Sequence, residues 1–354
     1  MNRIHNSLDI PLVLAVWLVH DEYDYMNVPN YISATSLMKP LRHILLPKRI
    51  PIDKRPMEDV ADYISRGLGN AIHDSVEKAW TTNHRSNLKK LGYTDATIDR
   101  ILINPTDQEL DAFVTRTGND PIPVYLEQRM FRQHKGLIIG GKYDNITDGI
   151  VNDTKSTSAY SWVFGGRDDD YRLQGSIYNW IDEQGLEMPR GSRGLDLSLL
   201  QPFRPRITED YIRVNFVFTD WQKMQARSNP GYPQKRAEYK EIPLLSLEET
   251  EFVINEKLRL IDRFKEVPES QLPECTPEEL WQSAPSYKYY TDPAKANQPG
   301  ARSTKNFDDI NEARKFQSEK GGVGIIKTIP GEPKRCGFCP AFEICTQKDR
   351  YFPS

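Results

Sequence analysis

The stretch GKYDNITDGIVNDTKST, residues 141–157, constrains the fold of this chain more than any other. An Asp-Gly pair between two short runs of strand-forming residues is the strongest local signal for a two-residue hairpin turn. With the turn at Asp148-Gly149, Thr147 faces Ile150, Ile146 faces Val151 and Asp144 faces Asp153. Side chains alternate along a strand, so Lys155 shares the face of Asp153. Directly opposed carboxylates destabilise a sheet, and something must offset the repulsion. Two oxygen ligands converging from adjacent strands suit a hard divalent cation such as Mg²⁺. A charged edge that keeps the hairpin soluble is the other reading of the same residues.

The rest of the chain has to decide between them. At 354 residues with 38% hydrophobic and 27% charged residues, the composition is that of a globular protein with room for one large domain and a smaller one. A net charge of −3 argues against coating a polyanion over the whole surface, so any nucleic-acid contact must be local. The apolar run IPLVLAVWLV at 10–19 is too short to span a bilayer and is followed by HDEYDYM, so it is expected in the core, with no membrane association. The four cysteines, Cys275, Cys336, Cys339 and Cys345, are crowded toward the C-terminus, which points to a shared metal or cluster in a reducing, cytoplasmic compartment.

Coarse periodicity organises what remains. A first core helix is expected after Ser33 or Thr35. Val60, Ile64, Leu68, Ile72, Val76 and Trp80 recur every fourth position and predict a helix from Glu58 to Trp80, with Gly67 and Gly69 as a break point. A polar helical or irregular stretch follows to about residue 118, and PVYLEQRMFRQ reads as one strand before a 138–156 hairpin. Leu173, Ile177 and Ile181 predict a helix, residues 186–206 a Gly/Pro/Arg-rich loop, YIRVNFVFTDW a strand, and LSLEETEFVINEKLRLIDRF an amphipathic helix. The composition then turns polar and Pro-rich, which puts a domain boundary near residue 270. The expected domains are thus 1–270 and 271–354.

Taken singly, His73 one helical turn before Glu77, and Gln174 four residues before Tyr178, are ordinary polar edges of amphipathic helices. Their order changes that. A helical His73, Asp144 on a strand, Asp153-Thr154-Lys155 on the next strand and Gln174-x-x-x-Tyr178 on the following helix resemble the PD-(D/E)xK nucleases. The closest likeness is to their RecB-like branch, which includes the RecB and AddB nuclease domains and the CRISPR adaptation nucleases. The match spans about residues 60–182. IPLVLAVWLVHDEYDY, ISATSLMKP and GNAIHDSVEKAW further resemble nucleases of this branch from tailed bacteriophages.

The resemblance implies an α/β fold: a mixed central sheet flanked by helices, a restriction-endonuclease-like core, with a small cysteine-ligated C-terminal subdomain. It implies Mg²⁺ or Mn²⁺ held by Asp144, Asp153, His73 and the Thr154 carbonyl, with Lys155 orienting or deprotonating the attacking water and stabilising negative charge. Gln174 and Tyr178 would contact the DNA strand or support the site. Glu127 is a weaker candidate ligand, with a surface salt bridge the preferred reading.

Cys336-x-x-Cys339 followed by Cys345 resembles the trio that holds a [4Fe-4S] cluster in AddB and the adaptation nucleases. The chain departs from that pattern because the family's first cysteine falls near Leu41, which leaves Cys275 as the fourth thiol. Zn²⁺ would use the same four ligands.

The function so implied is a metal-dependent deoxyribonuclease, an exonuclease of phage DNA recombination, replication or degradation. It would act on DNA in the host cytoplasm with phage recombination or replication proteins as partners. An endonuclease on the same fold and a catalytically silent nucleic-acid-binding module are the alternatives. Arg190, Arg193, Arg204 and Arg206 in the 186–206 loop are candidate phosphate contacts.

Overall fold

The structure, a computed structural model, describes residues 4–21, 25–26, 28–51, 55, 57–165, 167–190, 192, 196–298 and 300–352. Its first elements are α1 (Leu12–Val19), β1 (Tyr31–Ser33), α2 (Ala34–Leu37) and α3 (Leu41–Leu45). A 3₁₀ turn at Val60–Tyr63 leads into the long α4 (Ile64–Lys90), followed by α5 (Asp95–Ile98), β2 (Ile101–Ile103) and α6 (Asp107–Thr117). Next come β3 (Ile122–Leu126), β4 (Arg129–His134), β5 (Leu137–Lys142), β6 (Asn145–Thr147) and β7 (Ile150–Thr157). After them stand α7 (Ala159–Phe164), α8 (Asp168–Glu183), β8 (Leu186–Glu187), β9 (Gln201–Pro202), β10 (Tyr211–Phe218), α9 (Lys223–Ser228), β11 (Ala237–Pro243) and α10 (Leu247–Phe264). The last are β12 (Ser286–Tyr290), β13 (Lys305–Phe307), α11 (Ile310–Glu319) and β14 (Ile325–Ile329).

These elements form two compact units, Met1–Met38 with Met57–Leu258, and Lys39–Pro56 with Arg259–Ser354. The boundary expected near residue 270 therefore falls after Leu258, inside α10, and the segment containing α3 belongs with the C-terminal unit. The core memberships explain it. Ile254 and Leu258 of α10 pack in the first unit's core, whereas Leu260, Ile261 and Phe264 pack against Leu41, Ile44 and Leu45 in the second.

The first unit is mixed α/β and holds two mixed sheets, not one. One has six strands in the order β11-β10-β7-β6-β3-β2, and the other five in the order β1-β5-β4-β8-β9. The turn works as its chemistry requires: Asp148 (φ 52°) and Gly149 (φ 77°) are both left-handed, and Thr147 faces Ile150, Ile146 faces Val151 and Asn145 faces Asn152.

Two corrections to the strand assignments follow from two corners. PVYLEQRMFRQ is not one strand, because Glu127 at φ 51° ends β3 in the six-stranded sheet and redirects the chain into β4 of the other. The 138–156 hairpin likewise divides, since β5 pairs with β4 and β1 while β6 and β7 lie in the six-stranded sheet. The corners are tied together, the Glu127 N–H donating to the Asp144 carbonyl at 2.9 Å and the Tyr143 N–H to the Gln128 carbonyl at 3.2 Å.

Helix α8 buries Ile177, Trp180 and Ile181 against Met130, Ile139, Ile212 and Val214. Its approach needs Gly141, where a Cβ would stand 2.6 Å from the Tyr178 ring. Ser33 caps α2, its hydroxyl accepting from the Ser36 N–H.

Two helical expectations differ from the structure. Helix α4 runs unbroken through Gly67 and Gly69, because Gly67 lets α1 approach: a Cβ there would sit 2.9 Å from Leu18. The α1 segment is not core. Leu18 packs on Val60 and Tyr63, but Leu12, Val13 and Val16 are 79%, 80% and 61% exposed, since a helix apolar all round can bury only the stripe it packs with. No helix among the described residues is long and apolar enough to cross a membrane.

In the second unit, β13-β12-β14 form an antiparallel sheet covered by α11 through Tyr289, Phe307, Ala313 and Phe316. A separate cluster joins Leu41, Leu45, Leu46, Leu272 and Ala341 with Cys339 and Cys345 at its edge.

Candidate metal centre

The two sheet-crossing corners bring a carboxylate each to the side of α4. Residues Glu127 and Asp144, which end one strand and precede the next, face His73 on the helix: its Nδ1 lies 3.5 Å from Glu127 Oε1 and 3.3 Å from Asp144 Oδ2. The other ring nitrogen, Nε2, is 3.0 Å from the Thr154 carbonyl. A carbonyl only accepts, so Nε2 carries the proton there and donates it. Nδ1 of a neutral ring would then turn a lone pair toward two carboxylates, which is repulsive unless a proton or a cation lies between them. Among the described residues, His73, Glu127 and Asp144 are the one group of three potential metal ligands whose donor atoms all lie within 4.8 Å of one another.

Asp153 and Lys155 make an adjoining pair on β7. The Lys155 Nζ is 2.8 Å from both Asp153 carboxylate oxygens, and the Asp153 carboxylate is almost fully buried, at 2% exposure. Gln174 Nε2 donates to Asp153 Oδ1 at 3.2 Å. The Tyr178 hydroxyl donates to the Lys142 carbonyl at 2.9 Å, and Gln174 donates to that hydroxyl at 3.3 Å. The Lys142 ammonium in turn sits 2.7 Å from Glu127 Oε2. The Thr154 N–H donates to Asp144 Oδ2 at 2.9 Å.

All seven residues taken from the sequence (His73, Asp144, Asp153, Thr154, Lys155, Gln174 and Tyr178) thus meet at one place. Their arrangement differs from the expected one in two respects. Asp153 is engaged by Lys155 and Gln174, not grouped with His73 and Asp144, and the Thr154 carbonyl accepts from His73. Glu127 does form a salt bridge, with Lys142, but not at the surface: its side chain is 17% exposed and its other oxygen completes the three-donor group. The signal available for it was its position at the end of an apolar run, PVYLE. The left-handed corner that aims it is set by tertiary structure.

Electrostatics fit a cation. Burial, and then the charge of Asp153, push the Asp144 carboxyl up to about 6. The Glu127 hydrogen bond, with further help from Asp144, raises the His73 imidazole against the opposing effect of burial. Burial pushes Glu127 up, but His73 and Lys142 outweigh it and leave its carboxyl below the ordinary range. Burial pulls Lys155 down, and Asp153 more than reverses that, so Lys155 is an ammonium at neutral pH. His73, Glu127 and Asp144 together offer the donor set for a divalent ion: one imidazole nitrogen and two carboxylate oxygens. Carboxylates suit Mg²⁺ and Mn²⁺, and the imidazole favours Mn²⁺.

The loop arginines are already engaged. Arg206 is a correction, because it is buried, not free for phosphate: it pairs with Glu187, donates to Gln128 at 2.8 Å and Tyr143 at 3.0 Å, and lies over the Phe203 and Tyr125 rings. Arg204 pairs with Asp111. Arg190 donates to the Asn104 carbonyl and pairs with Glu109 at 3.2 Å. Arg193 lies outside the described residues.

The four cysteines are free thiols in the second unit. Burial pushes Cys275 up to about 12 and Cys339 to about 11, with neighbouring thiols adding to both. Cys345 accepts from the Arg42 guanidinium at 3.4 Å. The thiols influence one another, yet no three of their sulfurs lie within 4.8 Å of one another among the described residues.

No family model matches the chain, and no curated protein matches it. A solved structure described as the crystal structure of SSO0001 aligns with a TM-score of 0.37 and 13% identity, covering 70% of this chain and 84% of that one. A likeness this slight carries no argument about fold or function.

Proposed function

We propose that the protein is a divalent-metal-dependent deoxyribonuclease that hydrolyses phosphodiester bonds from a DNA end. The observation that carries this reading is the grouping of His73, Glu127 and Asp144 within 4.8 Å, beside the Asp153–Lys155 pair. His73, Glu127 and Asp144 would hold Mg²⁺ or Mn²⁺. Such an ion supplies Lewis acidity toward a phosphoryl oxygen and an acidified bound water. Lys155 contributes a fixed ammonium that stabilises the charge developing on the phosphoryl oxygens. It is a poor base, because Asp153 holds its proton. Asp153 positions Lys155, and Gln174 positions Asp153. Lys142 holds Glu127 in place from the second oxygen, an orientation of the kind that tunes metal affinity.

End-directed action is supported by the resemblance carried by Gln174 and Tyr178, and by a net charge of −3 that suits local capture of a strand. The cysteine unit, by the resemblance carried by Cys336-x-x-Cys339 and Cys345, would hold an iron–sulfur cluster, with Zn²⁺ on the same thiols as the alternative. The test is digestion of linear and covalently closed circular DNA, single- and double-stranded, with Mg²⁺, Mn²⁺ or EDTA. The proposal expects progressive shortening of linear DNA with metal and survival of circles. Rapid nicking of closed circles would replace it with an endonuclease, and no cleavage with either metal would end it.

A further inference from the structure

The two carboxylates of the metal centre stand on separate corners of the chain, and their spacing depends on what keeps those corners together. Lys142 and the Thr154 N–H hold the carboxylate groups themselves. The corners are joined through the neighbouring residues. Gln128 follows Glu127 and Tyr143 precedes Asp144, and the Tyr143 hydroxyl donates to Gln128 Oε1 at 3.1 Å. A single guanidinium nitrogen, Arg206 Nη1, donates to both, to Gln128 Oε1 at 2.8 Å and to the Tyr143 hydroxyl oxygen at 3.0 Å. Tyr143 is fully buried and Arg206 nearly so, so water does not compete for these bonds.

Arg206 is in turn fixed from three sides. Its N–H and that of Ile207 donate to Asp182 Oδ2 at 2.6 and 2.8 Å. Glu187 pairs with Nη2, and the guanidinium lies 4.0 Å from the Phe203 ring centre and 4.4 Å from that of Tyr125. Asp182 is fully buried in the last turn of α8, the helix whose Gln174 donates to Asp153. Helix α8 is therefore tied to the centre at two points about two turns apart, directly through Gln174 and indirectly through Asp182 and Arg206. A buried charged network adds little net stability over apolar packing, because desolvation offsets the attraction, and a defined geometry is the other service it can give. The geometry defined here is that of the residues next to both carboxylate ligands.

We propose that Arg206 is a positioning residue of the metal centre: by holding Gln128 and Tyr143 together it fixes the spacing of Glu127 and Asp144, and Asp182 anchors it to α8. The inference rests on the metal centre of the nuclease reading, but metal binding is measured without DNA. The probe is Mn²⁺ alone, its free ion followed by electron paramagnetic resonance.

Wild-type protein should bind Mn²⁺ saturably, and Glu127→Gln should weaken that binding at least ~10-fold. Arg206→Lys keeps a positive charge beside Glu187 but loses the fork that reaches Glu187 and the corner residues at once, and it should also weaken Mn²⁺ at least ~10-fold. Tyr143→Phe keeps the ring in the core, removes one acceptor of Nη1, and should weaken Mn²⁺ by a smaller factor, ~3-fold or more. Ile242→Ala is a core truncation on β11, the strand farthest from β3 in the six-stranded sheet. It lowers stability and should leave Mn²⁺ affinity unchanged. Unchanged affinity in Arg206→Lys and Tyr143→Phe, or an equal loss in Ile242→Ala, would overturn the proposal. If Glu127→Gln weakens Mn²⁺ and the Arg206 and Tyr143 variants do not, the positioning role fails and the metal centre stands. If Mn²⁺ affinity follows the expected order and no metal supports cleavage, the positioning role stands and the nuclease reading fails. Wild-type protein that binds no Mn²⁺ would end both.

Discussion

Replacing Asp144 by asparagine should make the metal-free protein more stable and useless as a nuclease. The carboxyl of Asp144 is raised from 3.8 to about 6 by burial and by Asp153, so the folded state binds its proton more tightly than the unfolded chain does. A raised folded value means the associated stability is fully present below the unfolded value and is lost as pH rises through about 6. Above that, wild type carries a penalty of up to about 3 kcal/mol. The Asp144→Asn change would remove the charge while the new side-chain carbonyl could still accept from the Thr154 N–H. In EDTA at pH 8 the variant's first unit should melt roughly 5–10 °C higher. At pH 4.5, where wild type is mostly protonated at this site, the gap should shrink to about 1 kcal/mol. Mn²⁺ should stabilise wild type and leave the variant unmoved. Thermal denaturation at the two pH values, with and without Mn²⁺, reads all of this. A variant less stable than wild type at pH 8, or a gap independent of pH, would refute the electrostatic reasoning.

The neighbouring carboxylate behaves oppositely: Asp153→Ala leaves the half-buried Lys155 ammonium without its partner and should be net destabilising in urea titrations, by about 2–3 kcal/mol, because that loss outweighs the repulsion relieved at Asp144. Lys155→Met removes the charge at similar volume and should lower kcat at least ~100-fold while Mn²⁺ still raises the melting temperature. Arg206→Ala should cost about 3–5 kcal/mol by the same denaturant measurement, because Glu187 and the Tyr143–Gln128 network lose their partner. Anaerobically purified protein should contain iron and sulfide and not zinc, by metal analysis; one zinc per chain and no iron would reject the cluster and keep the thiol site.

What the sequence made legible was local. Asp148-Gly149 dictated its turn, and with it the Thr147–Ile150 and Ile146–Val151 pairs, because turn chemistry needs only adjacent residues. The spacing of Leu173, Ile177 and Ile181 likewise announced α8, and with it the placement of Gln174 and Tyr178. The corners at Glu127 and Asp144 were not legible. No residue-level rule requires a glutamate to take φ 51°, and only the crossing of two sheets explains why it does. The same limit hid Lys142, which reaches Glu127 from β5, and the burial of Arg206, whose loop reads as solvated until Tyr125 and Phe203 enclose it. Helix α1 failed differently: hydrophobicity alone says nothing about whether a partner surface exists. The C-terminal sheet was obscured by polar, Pro-rich composition, with short strands whose apolar residues face a single helix.

The central claim is that His73, Glu127 and Asp144 hold the ion that supports cleavage. Its most direct test is the release of nucleotides from end-labelled linear DNA as a function of Mn²⁺ concentration, for wild type and Glu127→Gln. The account predicts no release in EDTA, a saturable dependence in wild type, and a half-saturating concentration at least ~10-fold higher in the variant. Cleavage that persists in EDTA, or identical Mn²⁺ curves for the two proteins, would contradict it.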